Sequence, residues 1–81
     1  MSSKEKVLAF VLLITDSIQT QEIYKELQEY PNVKEAHMIY GDYDLILKIE
    51  LQNLAEMTSF MMQLRQKFAI KKSSTLIALA E

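Results

Sequence analysis

The stretch VKEAHMIYGDYDLILKIEL, residues 33–51, decides how this chain folds. It holds the single glycine of the protein, Gly41, with Tyr40 and Tyr43 around it and Asp42 and Asp44 close behind. After the glycine, Leu45, Leu47, Ile49 and Leu51 alternate with Asp44, Ile46, Lys48 and Glu50. A period of two puts those sets on opposite faces of a strand, and only one face is wholly apolar. Val33 to Tyr40 reads as a second strand of mixed polarity, and Tyr43 to Leu51 as a third. Gly41-Asp42 between them is a short turn, because both residue types accept the positive φ that tight hairpins require.

Upstream, Val7 to Ile14 is a continuous apolar run of eight residues, which fits a strand buried on both faces. It is far shorter than the roughly 20 residues that span a bilayer, and no small-residue cleavage site follows it. We therefore expect a buried strand in a cytoplasmic protein. "TDSIQTQE" supplies turn and N-cap residue types. Ile23, Leu27 and Tyr30 then recur at i, i+4 and i+7, predicting a helix of about three turns that stops at Pro31.

Downstream, Asn53 is a suitable N-cap, and Glu56 three residues later has the spacing of a capping box. Leu54, Met57, Met61, Leu64 and Phe68 fall on one stripe of the helix that follows. Its methionines read as core packing, not as a soft-metal site. From Ile70, "IKKSSTLIALA" predicts a last strand. The order is β-α-β-β-α-β without repeat or linker, one domain over residues 1–81. That is the α+β, ferredoxin-like split βαβ arrangement: a four-stranded antiparallel sheet with two helices on one face and the first and third strands central.

Composition narrows the function. There is no cysteine and one histidine, so neither a disulfide nor a structural zinc site is expected. The formal charge is −2, and the basic pairs Lys4/Lys6 and Lys71/Lys72 read as solvated ends. Direct nucleic-acid binding normally needs a basic excess or stripe. We expect no direct nucleic-acid contact, no membrane contact, no metal and no cofactor.

Two helices cover only one face of the sheet, yet the first strand is apolar on both sides. Val7, Ala9, Val11 and Leu13 oppose Leu8, Phe10, Leu12 and Ile14. The last strand likewise offers Leu76 and Ala78 on one face, Ile77 and Leu79 on the other. A contiguous exposed apolar patch marks an interface, and a chain this short is marginal alone. We expect a homodimer with two sheets packed face to face, about 10 Å apart.

At this point the chain resembles a known family. "P-x-V" at Pro31–Val33, "G-D-Y-D" at Gly41–Asp44 and the "V-x-x-T-x-T"-like ending at Ile70–Thr75 are similar to the RAM domain. This is the effector-binding and oligomerisation domain of the leucine-responsive/asparagine-regulator (Lrp/AsnC) transcription factors. The resemblance runs from about Val7 to Leu79. It implies a ferredoxin-like fold of the dimeric α/β-barrel type, with dimers joining into octamers or decamers. It also implies transcription regulation through a small ligand, an amino acid, held in clefts between dimers. The ligand-binding residues it points to are Tyr40, Gly41, Asp42, Tyr43 and Asp44, with Ser73 and Thr75 of another subunit facing them. A carboxylate is a natural acceptor for an ammonium group, so Asp42 or Asp44 is expected to pair with that of the ligand.

The sequence also departs from the family pattern. The loop after the first strand lacks the common glycine, Ala69-Ile70 stands for Gly-Val, and Ser73 stands for the first terminal threonine. No helix-turn-helix DNA-binding domain is read here, so the expectation is a stand-alone RAM domain that co-assembles with full-length Lrp/AsnC regulators. The competing reading is a small dimeric ferredoxin-like enzyme, of monooxygenase or isomerase type, using His37. No nucleophile–base pair can be argued around His37, so no catalytic residue is assigned and a non-enzyme is expected. A purely structural oligomer is the third reading.

Overall fold

A computed structural model describes residues 6–78. Lys4 and Leu79, named above, lie outside them. The elements follow the expected order: β1 (Val7–Thr15), α1 (Thr20–Leu27), β2 (Val33–Met38), β3 (Leu45–Leu51), α2 (Leu54–Lys67) and β4 (Ile70–Ala78). The strands form one antiparallel sheet in the order β2-β3-β1-β4. The two most apolar strands, β1 and β3, are central, where both edges are paired and no backbone group needs water.

Register fixes the faces. Ala9, Val11 and Leu13 pair with Ile49, Leu47 and Leu45. All six are buried, and Leu51 of β3, Ile23 and Leu27 of α1 and Phe60 and Leu64 of α2 complete that core. On the other face, Leu8, Phe10 and Leu12 stand opposite Glu50, Lys48 and Ile46. On the β4 side the same residues face Ala78, Leu76 and Ser74. The uncovered face therefore changes character across its width. It is apolar along β1 and the end of β4, and charged toward β3 and β2.

Three local details differ from the sequence reading. The β2–β3 connection is a loop from Ile39 to Asp44, not a two-residue turn, and the Ile39 N–H closes it on the Asp44 carbonyl at 2.9 Å. The first helix is eight residues long; Glu29 and Tyr30 continue it only as tight turns, their N–H groups donating to the carbonyls of Glu26 and Leu27. A regular helix gives way there because Pro31 restricts the residue before it. In α2 the stripe is centred on Phe60 and Leu64, which are buried, whereas Leu54 at the helix start is 60% exposed. Phe60 lies i+3 from Met57 and i−4 from Leu64, and it meets the Tyr30 ring edge-on at 6.1 Å. Met57, Met61 and Phe68 pack against the core as expected, while Met62 is exposed.

The α2 cap forms with one variation. Asn53 Oδ1 accepts the Glu56 N–H at 3.0 Å, and Glu56 Oε1 accepts the N–H of Gln52, one residue ahead of the cap, at 2.8 Å. Lys67 at the far end of α2 binds Glu26 of α1 at 3.0 Å, tying the two helices together.

Candidate functional site

The β2–β3 loop lies at the end of the sheet where β1 finishes and β4 begins. Gly41 has φ +121°, a backbone conformation that disfavours a side chain, although a Cβ there would meet nothing within 4 Å. The glycine is thus required by the turn and not by crowding. Tyr40 is completely exposed, Gly41 and Asp42 are exposed, and Tyr43 and Asp44 are half-buried.

Asp44 is held on three sides. Its N–H donates to the Leu13 carbonyl at 2.8 Å, its carbonyl accepts from Ile39, and its Oδ2 accepts the Thr15 N–H at 2.8 Å. The reason lies in the register. Leu13 opposite Leu45 is the last β1–β3 pair, so Thr15 would face a loop residue and lose its ladder bond. Thr15 is 3% exposed, and a buried N–H without an acceptor is costly, so the aspartate side chain takes the place of the missing strand.

The network continues into the β1–α1 turn. Thr20 Oγ1 donates to the Asp16 carbonyl at 3.0 Å, so the 2.6 Å contact between the two hydroxyls has Thr15 Oγ1 donating to Thr20 Oγ1. Asp16 Oδ1 in turn accepts the Ile18 N–H at 3.0 Å, and Gln19 N–H reaches the Asp16 carbonyl at 2.8 Å. The turn-forming chemistry of "TDSIQT" is thereby spent on Asp16, while Gln19, the helix N-cap, contributes no side-chain bond.

Ser73 and Thr75 lie on the edge strand β4, on the helix-covered side of the sheet. Ser73 pairs with Leu13 and Thr75 with Val11. Arg65 of α2 donates to Ser73 Oγ. Ser73 is thus at the same end of the sheet as Asp44, with β1 between them, two strand spacings or roughly 10 Å away. Thr75 sits farther along the edge and is exposed. Within one chain these residues form a rim and do not converge on a shared pocket. A groove of about 430 Å³ lies elsewhere, lined by Lys25, Glu26, Glu29, Tyr30, Pro31 and Lys67. Thr15 and Arg65 were not legible as site neighbours: Thr15 is 29 positions from Asp44, and no periodicity links them.

His37 is on the uncovered face of edge strand β2, its side chain 61% exposed. Its Nε2 is 3.2 Å from Glu35 Oε1, and Lys48 Nζ is 3.6 Å from Glu35 Oε2. The His37 hydrogen bond, and next the Lys48 charge, hold the Glu35 carboxyl below its ordinary value. The triplet is an open surface cluster in which every partner is solvated. Among the described residues no group of three or more His, Cys, Asp or Glu is placed to hold a metal ion. No helix among them is long and apolar enough to cross a membrane.

The described residues form a ferredoxin-like domain with one uncovered apolar sheet stripe and a Gly-Asp loop at its end. The chain matches the Lrp/AsnC ligand binding domain over residues 8–81, and it belongs to that family. It is 29% identical over 73 residues to the HTH-type transcriptional regulator FL11 of Pyrococcus furiosus, covering 90% of this chain and 48% of that regulator. The chain therefore spans about half the length of the curated relatives it matches. The crystal structure of hypothetical protein PHS023 from Pyrococcus horikoshii superposes with a TM-score of 0.84 at 38% identity, covering 93% of this chain and 92% of that one. An AsnC family transcriptional regulator from Agrobacterium tumefaciens gives 0.82 at 28% identity, with 94% of this chain and 52% of that chain covered.

Proposed function

We propose that this domain is a non-enzymatic sensor and assembly module of cytoplasmic transcription regulation, binding an amino acid between subunits. The observation that carries the reading is the match to a ligand-binding domain family across residues 8–81, which spans both the hairpin and the β4 rim. Tyr40, Gly41, Asp42, Tyr43 and Asp44 form one wall in this reading, and Ser73 and Thr75 of a neighbouring subunit form the other. Tyr40 supports it, because a fully exposed aromatic at a loop tip is a natural contact for a second chain.

The uncovered sheet stripe closes a homodimer, and dimers join further into an octamer or decamer. The described residues contain no helix-turn-helix, so operator contact belongs to another segment or to co-assembled full-length Lrp/AsnC regulators. The ligand acts by preferring one assembly, since equal affinity for two states shifts neither.

The test is a thermal-shift screen of the twenty common amino acids, each read beside light scattering during size-exclusion chromatography. At least one should raise Tm by several degrees and change the assembled mass, as saturating ligand stabilises by about 2.7 kcal/mol at a hundredfold excess over Kd. A screen in which neither quantity moves would sink the reading.

A further inference from the structure

We infer that the outward face of α2 is a second interface of this chain, occupied by α2 of another copy that runs antiparallel to it across a two-fold axis beside Met62. The inference rests on the proposed sheet-to-sheet homodimer in one respect: it is such dimers that α2 joins. Ala55, Thr58, Ser59, Met62, Gln63 and Gln66 recur at three- and four-residue spacings on the side of the helix opposite Phe60 and Leu64. All six are exposed, and none carries a charge. Helix α1 is different, with Glu22 and Lys25 exposed on its outer side. The outer side of a helix that meets only water carries charged residues, whereas α2 leaves Met62 55% exposed in the middle of a neutral face.

Charge selects both the occupant and its direction. An acidic or basic partner finds nothing to pair with along this face, and a second copy meets no like charge there. Glu56 near the start of α2 and Lys67 at its end are about three turns apart, which places them on the same flank of the face. An antiparallel pair sets Glu56 of each chain beside Lys67 of the other and opposes the two helix dipoles; a parallel pair sets like charge against like. Glu56 has no cation within ion-pair distance among the described residues, and the Lys67 ammonium, on Glu26 at 3.0 Å, keeps further donors. A groove of about 220 Å³ between Asn32, Glu56 and Gln63 lies open along this flank for the partner's side chains. Matching Glu56 to Lys67 puts the axis midway between them, next to Met62. A few helical turns bury less than a standard interface of about 1,600 Å², so the contact works together with the sheet contact. Two different two-fold contacts on one chain close dimers into a ring where their axes meet.

The chain has no cysteine, so single-cysteine variants report one position each. In Met62→Cys the two thiols face each other across the axis, and a mild oxidant should link most chains in pairs on a non-reducing gel. In Ala55→Cys, on the same face but about 10 Å farther along the helix, the two copies lie about 20 Å apart, and the linked fraction should be at least about fivefold lower. Met62→Glu sets two like charges at the axis and should reduce the mass seen by light scattering to that of the dimer. Linking at Ala55 that equals or exceeds linking at Met62, or no linking at Met62, overturns the inference, as does a Met62→Glu protein of wild-type mass. A wild type of two chains that Phe10→Glu leaves intact and Met62→Glu splits rejects the sheet dimer and keeps the α2 contact.

Discussion

Glu35 offers the sharpest electrostatic test among single residues. Its carboxyl is held below the ordinary value first by the His37 hydrogen bond and then by Lys48. A folded pKa below the unfolded one contributes stability above the unfolded value, and that contribution is lost as pH falls through the folded value. The effect therefore belongs to the acid limb. Because Glu35 is solvated, its consequence is a titration shift more than a stability change. In an NMR titration of the side-chain carboxyl carbon, His37→Ala should move the Glu35 midpoint up toward the ordinary carboxylate value. Lys48→Met should move it up by less. A midpoint indifferent to both would dissolve the triplet.

Helix α2 carries the element-scale energetics. Its fourteen residues hold the Asn53 cap at one end and the Lys67–Glu26 link at the other, with Phe60 and Leu64 buried between. An Asn53→Ala variant loses the acceptor for Glu56 N–H and should cost about 1 kcal/mol. Phe60→Ala should cost more, about 3–5 kcal/mol, since it opens a cavity and removes the ring that Tyr30 meets. Denaturant midpoints would check the order; equal losses would mean that Phe60 packs less tightly than its 3% exposure implies. Helix α1, with eight residues, is too short to persist alone and depends on Ile23 and Leu27 in the core.

For the whole molecule, the stripe of Leu8, Phe10, Leu12 and Ile14 is the decisive surface. Leu76 beside it is 55% exposed, which is poorly matched to an isolated chain in water. Phe10→Glu tests the proposed homodimer. Lys48 stands directly opposite Phe10, so a monomer tolerates the new acid, whereas two sheets packed face to face would bury a pair of them. Light scattering should give a dimer or larger for wild type and the mass of one chain for the variant. A variant that keeps the wild-type mass would move the interface off this face.

Element order and sheet position were determined by the sequence itself, because alternation in Leu45–Leu51 and the double-sided apolar run of β1 are local, periodic signals. The Asn53 cap was equally local. Leu54 at the start of α2 read as core and mid-helix Phe60 was missed, because the stripe drawn through Leu54, Met57, Met61, Leu64 and Phe68 passes it by. The role of Asp44 could not be read at all: "YGDYD" shows two acids after a glycine and nothing to tell them apart. Only tertiary structure separates them, since β3 starts one residue beyond Asp44 and leaves the buried Thr15 N–H for its carboxylate to accept. That bond joins residues 29 apart in sequence, and hydrogen bonding at such a distance leaves no pattern in the chain.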